Sequence, residues 1–186
     1  MRIGPRAKLV LIAALFAAPI VASVLVYLFG HPVPTANHGE LLLPPAQVSE
    51  EPFARPGGGS FSFRILRGRW VLVASDSGAC ASACLAKLVT LRQVRLALGG
   101  NAERVARVFV VDDGRRPDPS ALAPFAGTEV ALAPEGAAFA PGARGDRAHV
   151  YLVDPHGNVM MRWRAVDDPA GMIKDLGRLL RASQIG

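Results

Sequence analysis

The chain has 186 residues, is 51% hydrophobic and carries 21 basic against 15 acidic residues. Three of those bases, Arg2, Arg6 and Lys8, lie in the first eight residues, so the remainder is nearly balanced, 18 basic against 15 acidic. No Lys/Arg run with interleaved aromatics is present, which excludes a nucleic-acid footprint. Nor does the sequence hold a Gly-rich phosphate loop, a Ser/His/Asp arrangement or a zinc-ligand cluster.

Residues 1–8 are basic and hold no acid, and Leu9 to Phe29 is uncharged and almost wholly apolar. That run matches the roughly 20 residues a helix needs to cross a bilayer and exceeds a signal-peptide core of about 7–15. Pro19 is tolerable inside such a helix. Bases before the span and none close after it predict a cytoplasmic N-terminus, a single-pass anchor over 9–29 in an inner membrane, and everything beyond it outside, in a periplasm. Residues 30–60 are rich in Pro and Gly and read as a spacer, with Leu41 to Leu43 apolar enough to dock. The domain proper is expected over 61–186, long enough to bury one core without disulfide staples.

Within it, Phe61 to Leu66 alternates like a half-buried strand, and Trp70 to Ala74 reads as a strand covered on both faces. Ser75 to Ala79 is a turn. A helix follows from Cys80 to about Leu98, with Cys84, Leu88, Leu91, Val94 and Leu98 on one face and Lys87, Arg92 and Arg95 off it. Gly99 and Gly100 stop it. Val105 to Val111 is a strand ending at Asp112 and Asp113, which read as turn residues. Pro119 to Phe125 predicts a short helix, Glu129 to Ala133 a short strand, and Ala137 to Arg147 a loop. His149 to Val153 and Val159 to Trp163 form a hairpin around Asp154-Pro155-His156-Gly157-Asn158. Asp168-Pro169 starts a last helix, running to about Ala182. A strand–helix–strand unit followed by a hairpin and a closing helix is an α/β, thioredoxin-like sandwich, here behind a transmembrane helix.

The chemistry centres on the only two cysteines, Cys80 and Cys84. They stand where a strand hands over to a helix, whose N-terminus favours thiolate over thiol. Residues four apart share a helix face, so the two sulfurs are able to close a disulfide or to grip one Cu(I). A merely structural disulfide is the plainer alternative in an oxidising compartment.

The N-terminal anchor, the Cys-x-x-x-Cys after Trp70-Val71-Leu72, and the hairpin Tyr151-Leu152-Val153-Asp154-Pro155-His156-Gly157 together resemble the Sco/SenC family. Its members are thioredoxin-fold copper proteins that help assemble the copper centre of cytochrome c oxidase. The stretch Asn37 to Leu42 with its following prolines is similar to short membrane-anchored relatives found with oxidase genes. The resemblance implies copper bound by the two cysteines and a histidine five residues before the hairpin tyrosine. Asp146 stands at that position, and His149, two residues before Tyr151, is the nearest histidine. The cysteines' flanking residues, Ala81, Ser82, Ala83 and Leu85, differ from the family's Pro and acid, and Pro141 lies too far upstream to serve as the cis-proline of an ordinary thioredoxin.

The expectation is therefore an accessory protein of respiratory oxidase biogenesis. It binds Cu(I) through Cys80, Cys84 and His149, or keeps the thiols of an oxidase copper-site subunit reduced. Two alternatives remain open. One is an exported thiol–disulfide oxidoreductase, with Cys80 attacking and Cys84 resolving on another exported thiol protein. The other is a non-catalytic binding module, so that enzymatic activity is left undecided. His31 and His38, in the spacer, and His156, in the turn, read as non-ligands.

Overall fold

The computed structural model describes residues 4–29 and 37–185. They form two compact units, the first ending at Ala36 and the second starting at Asn37. In the first, helix α1 spans Pro5–Phe29 with Pro19 inside it, and is long and apolar enough to cross a membrane. His31 lies outside the described residues.

The second unit is built on one eight-stranded sheet. Its strands are β1 (Glu40–Gln47), β2 (Phe53–Ala54), β3 (Ser60–Phe61), β4 (Trp70–Asp76), β5 (Val105–Val111), β6 (Thr128–Leu132), β7 (His149–Val153) and β8 (Asn158–Arg164). They lie in the order β1-β8-β7-β4-β5-β6-β2-β3. β4, β5 and β6 run parallel, and β7 joins β4 antiparallel, Ala74 facing Val150. The parallel strands are nearly continuous Val, Leu, Ala and Phe because both their faces are covered.

Helices α2 (Ser82–Ala97) and α4 (Pro169–Ala182) cover one face. Cys84, Leu88, Leu91 and Val94 of α2 and Met172, Leu176 and Leu180 of α4 are buried there against Leu72, Phe109 and Leu152. Asp168 caps α4 by accepting from the Gly171 N–H, with Pro169 at the first turn, as the sequence predicts. The short helix α3 (Pro119–Leu122) and a 3-10 turn over Ala123–Phe125 follow the loop after β5.

The other face carries no α-helix among the described residues. It is closed by aromatics from short elements and a loop: Phe53, Phe61, Phe63 and Phe139 are buried over Val71, Val73, Val108 and Tyr151. Phe61 and Phe63 meet edge-on at 5.2 Å, and Phe139 meets Tyr151 at 5.4 Å.

Two expectations need correction. Residues 30–60 are not a spacer throughout, because β1 pairs with β8 from Glu40 onward and β2 extends the sheet beyond β6. What recruits this segment is distant in sequence. Buried Asp175 accepts from the His38 and Gly39 N–H groups, both at 2.9 Å, and from the Trp163 indole at 3.0 Å. Gly39 is required there, since a Cβ would stand 2.5 Å from Trp163 Nε1. Second, Phe61 to Leu66 is not a strand. After Phe61 the chain turns into a 3-10 helix over Phe63–Leu66, started by Ser62, whose hydroxyl accepts from the Arg64 N–H. Phe63 and Leu66, three apart, share the buried side and leave Ile65 exposed.

Candidate functional site

Cys80 and Cys84 form a disulfide with Cα atoms 5.0 Å apart. Cys80 lies just before α2, and Cys84 lies in its first turn. The helix has Ala81 at its N-cap and no side chain capping it. Its first N–H groups therefore keep their donor capacity for an anion, and a thiolate at Cys80 is adjacent in the chain. Cys80 holds a left-handed backbone, φ 37°, which costs a non-glycine residue roughly 1–3 kcal/mol and is seen where a site over-determines its geometry. Cys80 is 6% exposed and Cys84 1%, so an incoming partner meets Cys80 first.

Three side chains fix the loops around the pair. Asp113 accepts from the Ser77 hydroxyl and the Gly78 N–H, pinning the segment that leads into Cys80. Burial pushes the Asp113 carboxyl up, but the Gly78 and Ser77 bonds and Arg115 more than offset this and hold it below the usual range. Arg147 donates to Asp112 from Nε and Nη2. Lys87, three residues after Cys84, is buried. Its ammonium donates to the carbonyls of Ser75 and Arg147, each at 2.7 Å, and pairs with Asp76 at 2.6 Å. Sequence periodicity places Lys87 off the apolar face, but it lies on the buried side of α2 with Cys84, Leu88 and Leu91, 3% exposed. The end of β4 and the 147 loop close over that flank, so the side chain is not in water. Asp112 and Asp113, read as turn residues, are also the tethers of this rim. A groove of about 220 Å³, lined by Ala83, Ala86, Lys87, Arg147, Arg164 and Val166, opens beside the first turn of α2.

His149 is not brought to the cysteines. Its strand partners Val150 and Leu152 face the helical side with Cys80 and Cys84, whereas Tyr151 and Val153 face the aromatic side. Alternation places His149 with Tyr151. There its Nδ1 lies 2.8 Å from Asp146, which also accepts from the Tyr151 hydroxyl and the Ala148 N–H. Burial works against the Asp146 carboxylate, but the bonds from Tyr151, Ala148 and His149 outweigh it and hold its pKa below the usual value. A carboxylate only accepts, so His149 Nδ1 carries the proton. Tyr151 is correspondingly pushed up to about 12, by burial first and by its bond to Asp146 second.

Among the described residues, no group of three His, Cys, Asp or Glu side chains is placed to hold one metal ion. Two thiolates suit a linear Cu(I) but leave a tetrahedral ion half bound. His38 bonds Asp168 at 2.8 Å, and His156 is exposed in the hairpin turn. The residue leading into β7 is Ala148, and no cis-proline stands beside the disulfide among the described residues.

Solved structures share this fold. BsSco, a member of the Sco family of cytochrome c oxidase assembly proteins studied for a disulfide switch, is 17% identical, with a TM-score of 0.59 over 75% of this chain and 96% of that one. Bradyrhizobium japonicum ScoI with copper bound is 22% identical, with a TM-score of 0.53 over 69% and 98%. A putative protein disulfide isomerase from Bacteroides thetaiotaomicron is 15% identical, with a TM-score of 0.55 over 73% and 88%. No curated protein matches the sequence. The fold is thus the thioredoxin-like one found in Sco/SenC proteins. Trp70 to Ser183 match the family model described as "transmembrane-like, thioredoxin-like, C-terminal domain", and the chain belongs to this transmembrane-like, thioredoxin-like family.

Proposed function

We propose that this protein is a membrane-anchored thiol–disulfide exchange protein of respiratory oxidase biogenesis, keeping the copper-site thiols of an oxidase subunit reduced. The observation that carries this is the closed Cys80–Cys84 pair at an uncapped helix N-terminus, with no third ligand grouped beside it among the described residues. The likeness to Sco proteins supports the oxidase setting. The anchor, with its bases before the span, supports an inner-membrane protein with the domain outside.

In the working direction, the Cys80 thiolate attacks a sulfur of the partner's disulfide. A mixed disulfide forms and one partner thiolate leaves. Cys84 then loses its proton and attacks Cys80 Sγ, closing the intramolecular disulfide and releasing the second partner thiol. Two electrons and two protons pass to the partner, and an external dithiol donor restores the reduced pair.

Cys84→Ser should trap a mixed disulfide with a subunit peptide carrying the copper-site cysteine pair, while Cys80→Ser should trap none. Equal trapping by both variants, or by neither, would count against the assignment. A phosphatase fused after Gly30 should be active, and an inactive fusion would reverse the topology.

A second reading, Cu(I) as cargo, is favoured by the copper-bound ScoI neighbour. On that reading Cys80 and Cys84 supply both ligands. Cu(I) affinity then falls sharply in Cys84→Ser and is unchanged in His149→Ala, in a competition assay with a Cu(I) chelator.

A further inference from the structure

The outer face of α4 is basic without interruption. Lys174, Arg178 and Arg181 follow at intervals of four and three, on one stripe, and all three are exposed. The one acid within the helix, Asp175, is 1% exposed: one oxygen accepts from Trp163 and the other lies 3.5 Å from Arg178 Nη2, which leaves Lys174 and Arg181 as the stripe's cations without an acid on their own helix beside them. The exposed acids nearest in sequence are Asp167 and Asp168, before the helix begins, and Asp168 is taken up by capping and by His38; Glu103, also exposed, stands two residues from Asn101, which lines the groove between α4 and the end of α2.

With Ala97, Leu98 and Ile173, the three cations line a groove of about 440 Å³ between α4 and the end of α2. Gly177 lies in the groove wall. A Cβ there would stand 3.5 Å from Arg181 Nη1, so the guanidinium lies back over the groove. The chain end beyond α4 exposes an apolar side chain, Ile185, at 50%. Ile185 is held in place by Arg104, which donates to the carbonyls of Ser183 and Ile185.

Clustered cations beside exposed aliphatic groups are what the headgroup boundary of an anionic bilayer accepts. A free anion would leave the apolar wall of Ala97, Leu98 and Ile173, and the exposed Ile185, without a role. The connection from Phe29 to Asn37 holds seven residues, 30–36. Such a segment reaches at most about 25 Å, so a lipid surface is the partner this unit meets at the highest effective concentration. We propose that the α4 groove docks on anionic phospholipid headgroups through Lys174, Arg178 and Arg181, fixing how the domain lies on the membrane.

The test uses the full chain in nanodiscs containing a nickel-chelating lipid, with a nitroxide at Ala182→Cys beside the stripe or at Ala54→Cys on β2. In discs with about 30% phosphatidylglycerol, relaxation at position 182 should exceed that in pure phosphatidylcholine by at least about threefold, and position 54 should not respond. Lys174→Glu with Arg181→Glu should abolish the difference. A label at 182 indifferent to phosphatidylglycerol overturns the proposal, as does a charge-reversed variant that behaves like the parent. Thermal stabilisation by inorganic phosphate in pure phosphatidylcholine, without any approach of the label in phosphatidylglycerol, would make the groove a free-anion site and overturn it equally.

Discussion

Asp146 shows how one residue redirects a site. It stands where the Sco/SenC resemblance implies a ligand histidine, and it holds His149 and Tyr151 on the sheet face away from the cysteines. The cysteine pair was plain in the sequence because a strand-to-helix junction can be read from local pattern. The failure of His149 to join it was equally available, since alternation with Val150 and Leu152 decides its face. What could not be read locally was the Asp146 bond network, which depends on how the 137–147 loop returns to the sheet. The network has a pH signature. A carboxylate whose folded pKa is lowered adds stability above its unfolded value, about 4, and loses it as pH falls through the folded value. Asp146→Asn should therefore flatten the acid limb of stability, measured as urea midpoints at about pH 7 and 3.5, and an unchanged acid limb would remove Asp146 from the account. Tyr151 has the opposite sign. Its folded pKa is raised to about 12, so its contribution is intact below about pH 10 and lost as pH rises toward 12. Tyr151 is the only tyrosine beyond Asn37, so absorbance at the phenolate band of the isolated unit should show no titration until well above pH 10.

Among the elements, the legible ones were those whose apolar period is complete within themselves. α2, α4 and the β7–β8 hairpin stand within a few residues of expectation because their buried faces repeat at 3.6 or 2, and β4 and β5 because each is a short apolar run buried on both faces. The segment after Phe61 failed because Phe61, Phe63 and Ile65 fit a strand period, while a single Ser62 cap starts a tighter turn. The two possibilities differ measurably. A strand would bury Ile65 beside Phe63, whereas the 3-10 turn leaves Ile65 61% exposed. Phe63→Ala should cost about 3 kcal/mol and Ile65→Ala under about 0.5 in denaturant unfolding. Comparable losses at both would restore the strand. Lys87 makes a second test at this scale, because it joins α2 to the end of β4 and to the 147 loop. Lys87→Met leaves Asp76 and two carbonyls without their buried cation, and should cost about 3 kcal/mol. A loss below about 1 kcal/mol would mean the ammonium is replaceable by water.

For the whole molecule, both apolar clusters are assembled from residues beyond Asn37. That unit should unfold in one cooperative step when expressed without the anchor, with coincident fluorescence and circular dichroism transitions, and separated transitions would divide it. Its sheet ends on strands of unequal length. β3 is two residues long, and β1 is eight residues with a register break between Leu41 and Ala46. Pro44 and Pro45 fall within that break and bring no N–H to it. A neighbouring chain that tried to extend the sheet there would find donors missing at the middle of the edge and Leu43 standing out from it. With α1 in a bilayer, as proposed for this protein, copies would be confined to a plane, where collisions between sheet edges are far more frequent than in solution. The interrupted strand that looked like a linker is therefore also a poor template for edge-to-edge pairing between copies of this chain.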